Sequence, residues 1–176
     1  WSKSGTAYTP TLIVGYGGIW GENYWYQKTN VWENERLLTF VPREVVDARS
    51  RRRFMAPEDE FNHIENAKTA NRLAAAGVPV LVGAHGQRVG LGAHLEMWML
   101  AQGGMKPHDV LRAATIRGAA ALGLDAALGS LERGKLADLV VLDRDLSDRG
   151  AGEIHEARVA LTLVGGDVVY AEPGSP

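Results

Sequence analysis

Three polar side chains close together in the chain could carry acid–base or metal chemistry. His85 lies two residues after Gly83, which closes the short apolar segment Val78–Val82, and His94 and Glu96 follow on the next predicted helix. Imidazole has an ordinary pKa near 6.5, so it can accept a proton from water or bind a metal ion near neutral pH. In parallel α/β barrels the chemistry sits at the carboxyl ends of the strands. Spacing alone leaves a functional and a structural His85 equally open.

The elements that must position these residues alternate between strand and helix. Apolar and β-branched patterns predict a buried strand at Tyr8–Val14 and another at Val78–Val82. An amphipathic helix over residues 57–76 joins them, which predicts two neighbouring parallel strands. Further predicted elements are a non-helical, glycine- and aromatic-rich loop over 15–26 and helices over 93–103 and 107–122.

After about residue 128 the pattern changes to short strands separated by glycines. Strands are predicted at 130–131, 137–142, 157–164 and 168–170. We therefore expect two parts, an α/β part over residues 1–127 and a small β unit over residues 128–176.

Composition excludes several classes of function. The hydrophobic fraction of 45% and charged fraction of 23% are those of a globular protein. A net charge of -2 gives no general attraction to nucleic acid or to an anionic membrane, and no apolar run approaches the length of a membrane span. The chain has no cysteine, which removes disulfides, thiolate metal sites and cysteine nucleophiles.

Other motifs favour less specific interpretations. Gly15-x-Gly17 suggests a dinucleotide loop, but Trp20 stands where the third glycine is needed, and no Gly-Lys-Ser/Thr follows. A nucleotide-binding domain is therefore the remotest hypothesis. His63 lies within the predicted helix over 57–76, where a surface or hydrogen-bonded histidine is the favoured interpretation.

The tail carries a more specific pattern. Residues 129–143 read Gly-Ser-Leu-Glu-Arg-Gly-Lys-Leu-Ala-Asp-Leu-Val-Val-Leu-Asp and closely resemble the tail signature of the amidohydrolase superfamily, metal-dependent hydrolases on a distorted (β/α)8 barrel. Pro107–Leu122 is similar to the segment before that signature, and Gly92–Leu100 is similar to the helix after the last barrel strand. The front of the chain resembles imidazolonepropionase- and prolidase-like members that are fused to β-propeller repeats.

This resemblance implies an α/β fold, the C-terminal part of a TIM-like amidohydrolase barrel with part of a small composite β-sandwich. Tyr8–Val14 would be the seventh barrel strand and Val78–Gly83 the eighth, and residues 128–176 would supply the sandwich strands. The family's first-strand His-x-His, its bridging lysine or glutamate, and the histidines of its fifth and sixth strands have no counterpart in this sequence.

The resemblance also implies roles for individual residues. At the end of the eighth strand the family has Gly-Thr-Asp, whose aspartate binds metal and takes a proton from the attacking water; this chain has Gly83-Ala84-His85. His85 is therefore expected to be the catalytic base or a metal ligand. His94 and Glu96 are expected to contact substrate, together with Tyr16 and Trp20 of the front loop.

The function expected from the resemblance is hydrolysis of an amide or other C–N bond by metal-activated water. Zinc is the expected metal of the complete enzyme, whereas this chain alone is expected to be inactive and to hold no stoichiometric metal. The expected partners are a small-molecule or peptide-like substrate, the N-terminal part of the barrel or a chain that supplies it, and a second copy in a homo-oligomer. The alternative is a non-catalytic interaction module that needs a partner chain to complete the barrel. The sequence does not decide the cellular compartment.

Overall fold

The computed structural model describes most of the chain, namely residues 1–15, 18–50, 54–87, 90–145 and 157–174. The chain divides into two compact units, Trp1–Gly118 and Ala119–Pro176. The sequence predicts a domain boundary between residues 127 and 128. That boundary stays a prediction.

Helices predominate in the first unit. The α-helices of the described residues are α1 Gly21–Lys28, α2 Glu35–Phe40, α3 Arg43–Ser50, α4 His63–Ala75, α5 Leu91–Gln102, α6 Pro107–Ala114 and α7 Ile116–Ala121. Short 3-10 helices occur at Leu12–Val14, Val31–Glu33 and Glu58–Glu60. Over the described ranges, no helix is long and apolar enough to cross a membrane.

The predicted parallel pairing is confirmed, but over a shorter length than expected. Tyr8 and Val80 form a parallel β-bridge, in which the Tyr8 N–H donates to the Pro79 carbonyl at 2.8 Å and the Leu81 N–H donates to the Tyr8 carbonyl at 2.9 Å. The predicted strand Tyr8–Val14 is wrong at its end, where residues 12–14 form a 3-10 helix. Pro10 has no N–H to donate to a neighbouring strand, and Thr11 turns the chain with φ 52°.

Three predictions about helices need correction. The helix predicted over residues 57–76 begins at His63, because Phe61 is extended and separates it from the 3-10 helix at Glu58–Glu60. Residues 21–26 of the predicted loop belong to helix α1, whose start at Gly21 packs closely against segments that are distant in the sequence. A Cβ at Gly21 would lie 2.6 Å from the Leu12 carbonyl oxygen and 3.0 Å from Met99 Cε. The single helix predicted over 107–122 is divided at Thr115, whose backbone (φ -128°, ψ -96°) is not helical. Helix α5, by contrast, lies within two residues of its predicted bounds.

A buried cluster joins the elements that flank the β-bridge. It combines the 3-10 helix that follows Thr11 with the apolar faces of α4, α5 and α6, through Leu12, Ile13, Val14, Ala67, Ala70, Val80, Leu95, Met99, Leu100, Met105, Val110 and Ala113. A second cluster surrounds Tyr26, Val31, Trp32, Leu37 and Val46. Helix α5 therefore packs directly beneath the turn that ends the first bridged segment.

The second unit contains a three-stranded antiparallel sheet in the order β1-β2-β3. The strands are β1 Leu139–Leu142, β2 Val159–Val164 and β3 Asp167–Ala171. Three of the four predicted tail strands are thus confirmed, whereas residues 130–131 form no strand. With the helical first unit, this gives the chain the α/β fold that was expected.

The tail signature has a physical basis in this unit. Gly129 and Gly134 both adopt φ 93°, a conformation that disfavours side chains. The two aspartates of the signature fix the backbone of neighbouring segments: Asp138 accepts the Gly165 N–H at 2.6 Å and Asp143 accepts the Arg158 N–H at 3.0 Å. The signature therefore specifies turns and strand pairing.

Candidate functional site

The carboxyl edge of the β-bridge brings together two segments with strained backbones. Beyond Tyr8, Thr11 has φ 52°, and beyond Val80, His85 has φ 53°; these are the positive-φ non-glycine residues among the described residues. Left-handed conformations are uncommon outside glycine, and a β-branched threonine in one is a true outlier. Such strain concentrates at functional sites. This edge is therefore the candidate site.

His85 is exposed at this edge, in a turn that ends with Gly86. Among the described residues it makes no hydrogen bond or ion pair, so its imidazole is accessible to a ligand. The preceding Gly83 is half-buried against the other segment, where a Cβ would overlap Thr9 Cγ2 and lie 3.4 Å from Thr11 Oγ1. Close packing of the two segments fixes where the His85 turn begins.

Glu96 occupies a different environment from the one that its sequence position indicates. Its side chain is fully buried, with Oε1 accepting the Leu12 N–H at 2.7 Å and Oε2 accepting the Ile13 N–H at 2.9 Å. Burial raises the pKa of this carboxyl to about 7, and the two backbone hydrogen bonds partly oppose that rise. The residue expected to contact substrate thus lies inside the core, bound to the turn after Thr11.

The other expected substrate contacts are spread over separate elements. His94 is exposed on helix α5, two residues from Glu96 and therefore on another side of the helix. Trp20 is 47% exposed just before α1. Tyr16 lies outside the described residues. His85, His94 and Trp20 all present accessible side chains, but among the described residues no hydrogen bond or ion pair connects them.

His63 was expected to be a surface or a hydrogen-bonded histidine, and the structure shows that it is buried and hydrogen-bonded. Its Nε2 lies 3.1 Å from Gln102 Oε1, its Nδ1 is buried without a hydrogen-bond partner in the described part of the chain, and the ring meets Tyr24 edge-on at 5.1 Å. Burial lowers the pKa of this imidazole. His63 is therefore a neutral core residue near neutral pH.

A cavity of about 110 Å³ lies on one side of helix α5. It is lined by Thr29, Asn30, Val31, Asn34, Leu91, Leu95 and Trp98. Binding pockets for small molecules usually measure about 300–1,000 Å³, so this depression is too small to hold a whole substrate by itself.

The residues described do not fit a metal centre on their own. Within these ranges, no three His, Asp or Glu side chains converge in a way that could hold a metal ion. A zinc site needs three or four protein ligands. His85 could therefore contribute at most one ligand among several.

The burial of Glu96 had a weak signal in the sequence. Gly92, Met99 and Leu100 stand four before, three after and four after Glu96, and all are buried on the same face of α5. A glutamate among apolar residues on one helix face indicates that its carboxyl group is buried and hydrogen-bonded. Its partners, backbone N–H groups more than eighty residues away, carry no sequence signal.

Curated relatives match parts of the chain. N-substituted formamide deformylase from Arthrobacter pascens is 45% identical over 67 residues, 38% of this chain and 12% of that protein. The imidazolonepropionase of Thermoplasma volcanium is 37% identical over 94 residues, 52% of this chain and 23% of that protein. That of Symbiobacterium thermophilum is 59% identical over 39 residues, 22% of this chain and 9% of that protein. The chain thus spans less than a quarter of these relatives.

Solved structures and a family model extend the likeness. An amidohydrolase from Thermotoga maritima aligns with a TM-score of 0.50 and 27% identity, covering 60% of this chain and 26% of that one. An uncharacterized protein aligns with a TM-score of 0.57 and 22% identity over 97% of this chain and 36% of that one, which shows a shared fold. The model of the amidohydrolase family matches residues 25–169. The chain belongs to the amidohydrolase family.

Proposed function

We propose that this chain forms part of a hydrolase that cleaves an amide or other C–N bond, and that it supplies the end of a (β/α)8 barrel. The family match over residues 25–169 supports the reaction class. The observation that carries the site is the parallel Tyr8–Val80 bridge, followed on its carboxyl side by the exposed, left-handed His85. Carboxyl ends of parallel strands are where barrel enzymes place their reactive groups.

In this proposal His85 acts as the proton acceptor. A neutral imidazole takes a proton from the water that attacks the carbonyl carbon and can return it to the amine that leaves when the C–N bond breaks. His94, Trp20 and Tyr16 are proposed to contact the substrate. Glu96 is proposed to act indirectly, because its carboxylate is fully used within the core.

We propose that any divalent metal of the whole protein, zinc first among them, takes most of its ligands from outside the described residues. His85 would be the contribution of this chain. The N-terminal part of the barrel, from the same polypeptide or a partner, is accordingly part of the proposal, and the 176 residues alone are proposed to be inactive.

The names of the relatives support a proposal for the substrate class. The deformylase is named for N-substituted formamides and two other relatives for imidazolonepropionate. We propose a small amide, acyclic or cyclic, as substrate, and these two compounds as the first to assay.

The experiment measures hydrolysis by the natural polypeptide that contains this sequence, with and without added zinc. We expect release of formate or opening of the imidazolone ring, and a loss of about a hundredfold or more in kcat for His85→Ala. His108→Ala, which removes an exposed histidine at the start of α6, is the matched control and should stay within about twofold. No hydrolysis of any amide would favour the non-catalytic module, and a fully active His85→Ala would remove His85 from the mechanism.

A further inference from the structure

One buried carboxylate connects helix α5 to the candidate site. Glu96 receives two successive backbone N–H groups, one on each oxygen, at 2.7 and 2.9 Å. Both distances lie within the range of well-formed hydrogen bonds from N–H to oxygen. The donors, Leu12 and Ile13, begin a 3-10 helix, where backbone N–H groups have no partner within the helix. Glu96 thus accepts the N–H groups at the start of that 3-10 helix, although it lies on α5.

The residue just before those donors is the strained one. Thr11 has φ 52° and ψ 58°, a left-handed conformation that its branched Cβ disfavours. Pro10, before it, limits the alternatives because its φ is fixed. Strain of this kind persists only when the surroundings hold it in place. The Thr11 carbonyl accepts the Val14 N–H at 3.3 Å, and the two hydrogen bonds to Glu96 start at the next residue and hold the turn from the side of α5.

The Thr9–Thr11 segment also lies beside the segment that leads to His85. The Thr11 Oγ1 lies 3.4 Å from the site that a Cβ would occupy on Gly83, and Thr9 fills the rest of that space. Gly83 stands two residues before His85. A shift of the Thr9–Thr11 segment would therefore change the packing at the base of the His85 turn.

From this geometry we propose that Glu96 is a positioning residue, which holds the left-handed Thr11 turn and through it the His85 turn at the carboxyl edge of the β-bridge. The effect on catalysis rests on the proposed function, whereas the hold on Thr11 does not. Glu96 therefore contributes to hydrolysis without touching substrate.

The first test measures backbone hydrogen exchange, which needs no activity. In the natural polypeptide, Glu96→Gln replaces one acceptor oxygen by an NH2 group. This NH2 group is a donor and cannot accept the backbone N–H that faces it. We expect exchange at Leu12 and Ile13 to accelerate at least about tenfold, while amides of helix α6 keep their rates. Glu65→Gln, which changes an exposed glutamate on α4, is the matched control and should leave both regions unchanged. Unaltered exchange at Leu12 and Ile13 in Glu96→Gln would overturn the proposal.

The second test couples the two residues through kinetics. We expect Glu96→Gln to lower kcat/KM about tenfold or more at equal folded fraction, because small displacements of reacting groups are costly. Thr11→Gly removes the penalty of the left-handed conformation, so it should restore part of that loss in the double variant. Thr11→Ala keeps a Cβ, so it should restore less than Thr11→Gly does. Equal behaviour of the glycine and alanine variants would overturn the inference.

The two tests separate failure of this inference from failure of the proposed function. If no variant hydrolyses any amide, the proposed function fails, and the exchange rates at Leu12 and Ile13 still decide whether Glu96 holds the turn. If Glu96→Gln does not fold, the same exchange rates are compared between Thr11→Gly and the double variant with Glu96→Gln, because glycine at position 11 makes the turn less strained.

Discussion

The two units of the chain place their polar and apolar groups in opposite ways. The first unit buries a continuous cluster around helix α5 and keeps a carboxylate and an imidazole inside it, Glu96 and His63. In the second unit every residue of strand β3 is exposed, and β1 and β2 are at most half-buried. The first unit thus depends on packing and on buried hydrogen bonds, whereas the second depends on strand pairing and turns.

This difference shows which kind of information each part of the sequence carries. The tail signature is easy to recognise because it specifies local features, such as the turns at Gly129 and Gly134 and the aspartates that accept backbone N–H groups. The candidate site depends on contacts between distant segments, which leave little local pattern. The most recognisable part of the chain is therefore not the part that contains the proposed site.

The largest effect should come from the core of the first unit. Leu100 is fully buried on α5, so Leu100→Ala should lower the free energy of unfolding by about 2–5 kcal/mol. In the 176-residue chain, urea unfolding followed by tryptophan fluorescence reports on this unit, because all five tryptophans precede residue 99.

Val169→Ala is the matched change in the second unit. Val169 is 59% exposed on β3, and its truncation should cost less than about 1 kcal/mol, measured by hydrogen exchange of the β2 and β3 amides. Equal losses for Leu100→Ala and Val169→Ala would contradict the contrast between a packed and an open unit.

A second prediction concerns how the stability of the first unit depends on pH through Glu96. The pKa of Glu96 rises from 4.5 to about 7 on folding, so between these values the folded state binds more protons than the unfolded state. The stabilisation is complete below pH 4.5 and is lost as the pH rises through about 7, by about 3 kcal/mol in total. Urea unfolding of the first unit at several pH values measures it, and Glu96→Gln should abolish this dependence.

His63 acts in the opposite direction within the same unit. Its pKa is lowered by burial, so the unfolded state takes up a proton first, and stability falls as the pH drops below 6.5. His63→Gln removes this contribution and leaves that of Glu96 in isolation. Stability of His63→Gln that does not fall as the pH rises towards 7 would contradict the assignment to Glu96.

Particular residues show how far the sequence predicts the structure. Helix α5 and its end at Gly103 follow from a local pattern, whereas the parallel pairing of the two segments follows from the helix predicted between them. Helix α1 was missed because Gly21 fits against Leu12 and Met99, which only the folded chain brings together.

The candidate site was predicted in part for the same reason. The exposed position of His85 follows from its place after an apolar segment and between glycines. The burial of Glu96 depends on backbone donors in a distant turn, and a carboxylate beside a histidine on a helix gives no sign of them. Whether His85, His94, Tyr16 and Trp20 act on a substrate stays a prediction.

The smallest effect should come from the surface ion pair of the second unit. Arg158 and Glu172 lie 3.8 Å apart with side chains 69% and 34% exposed. Such a pair gains little in water and is screened by salt, so Glu172→Gln should cost about 0.5 kcal/mol or less. The Glu172 N–H still donates to the Ala160 carbonyl at 2.9 Å, which keeps the strand in place. Hydrogen exchange of β2 and β3 amides at low and high salt measures the change. A loss of several kcal/mol that persists in high salt would mean that the second unit, like the first, depends on buried polar contacts.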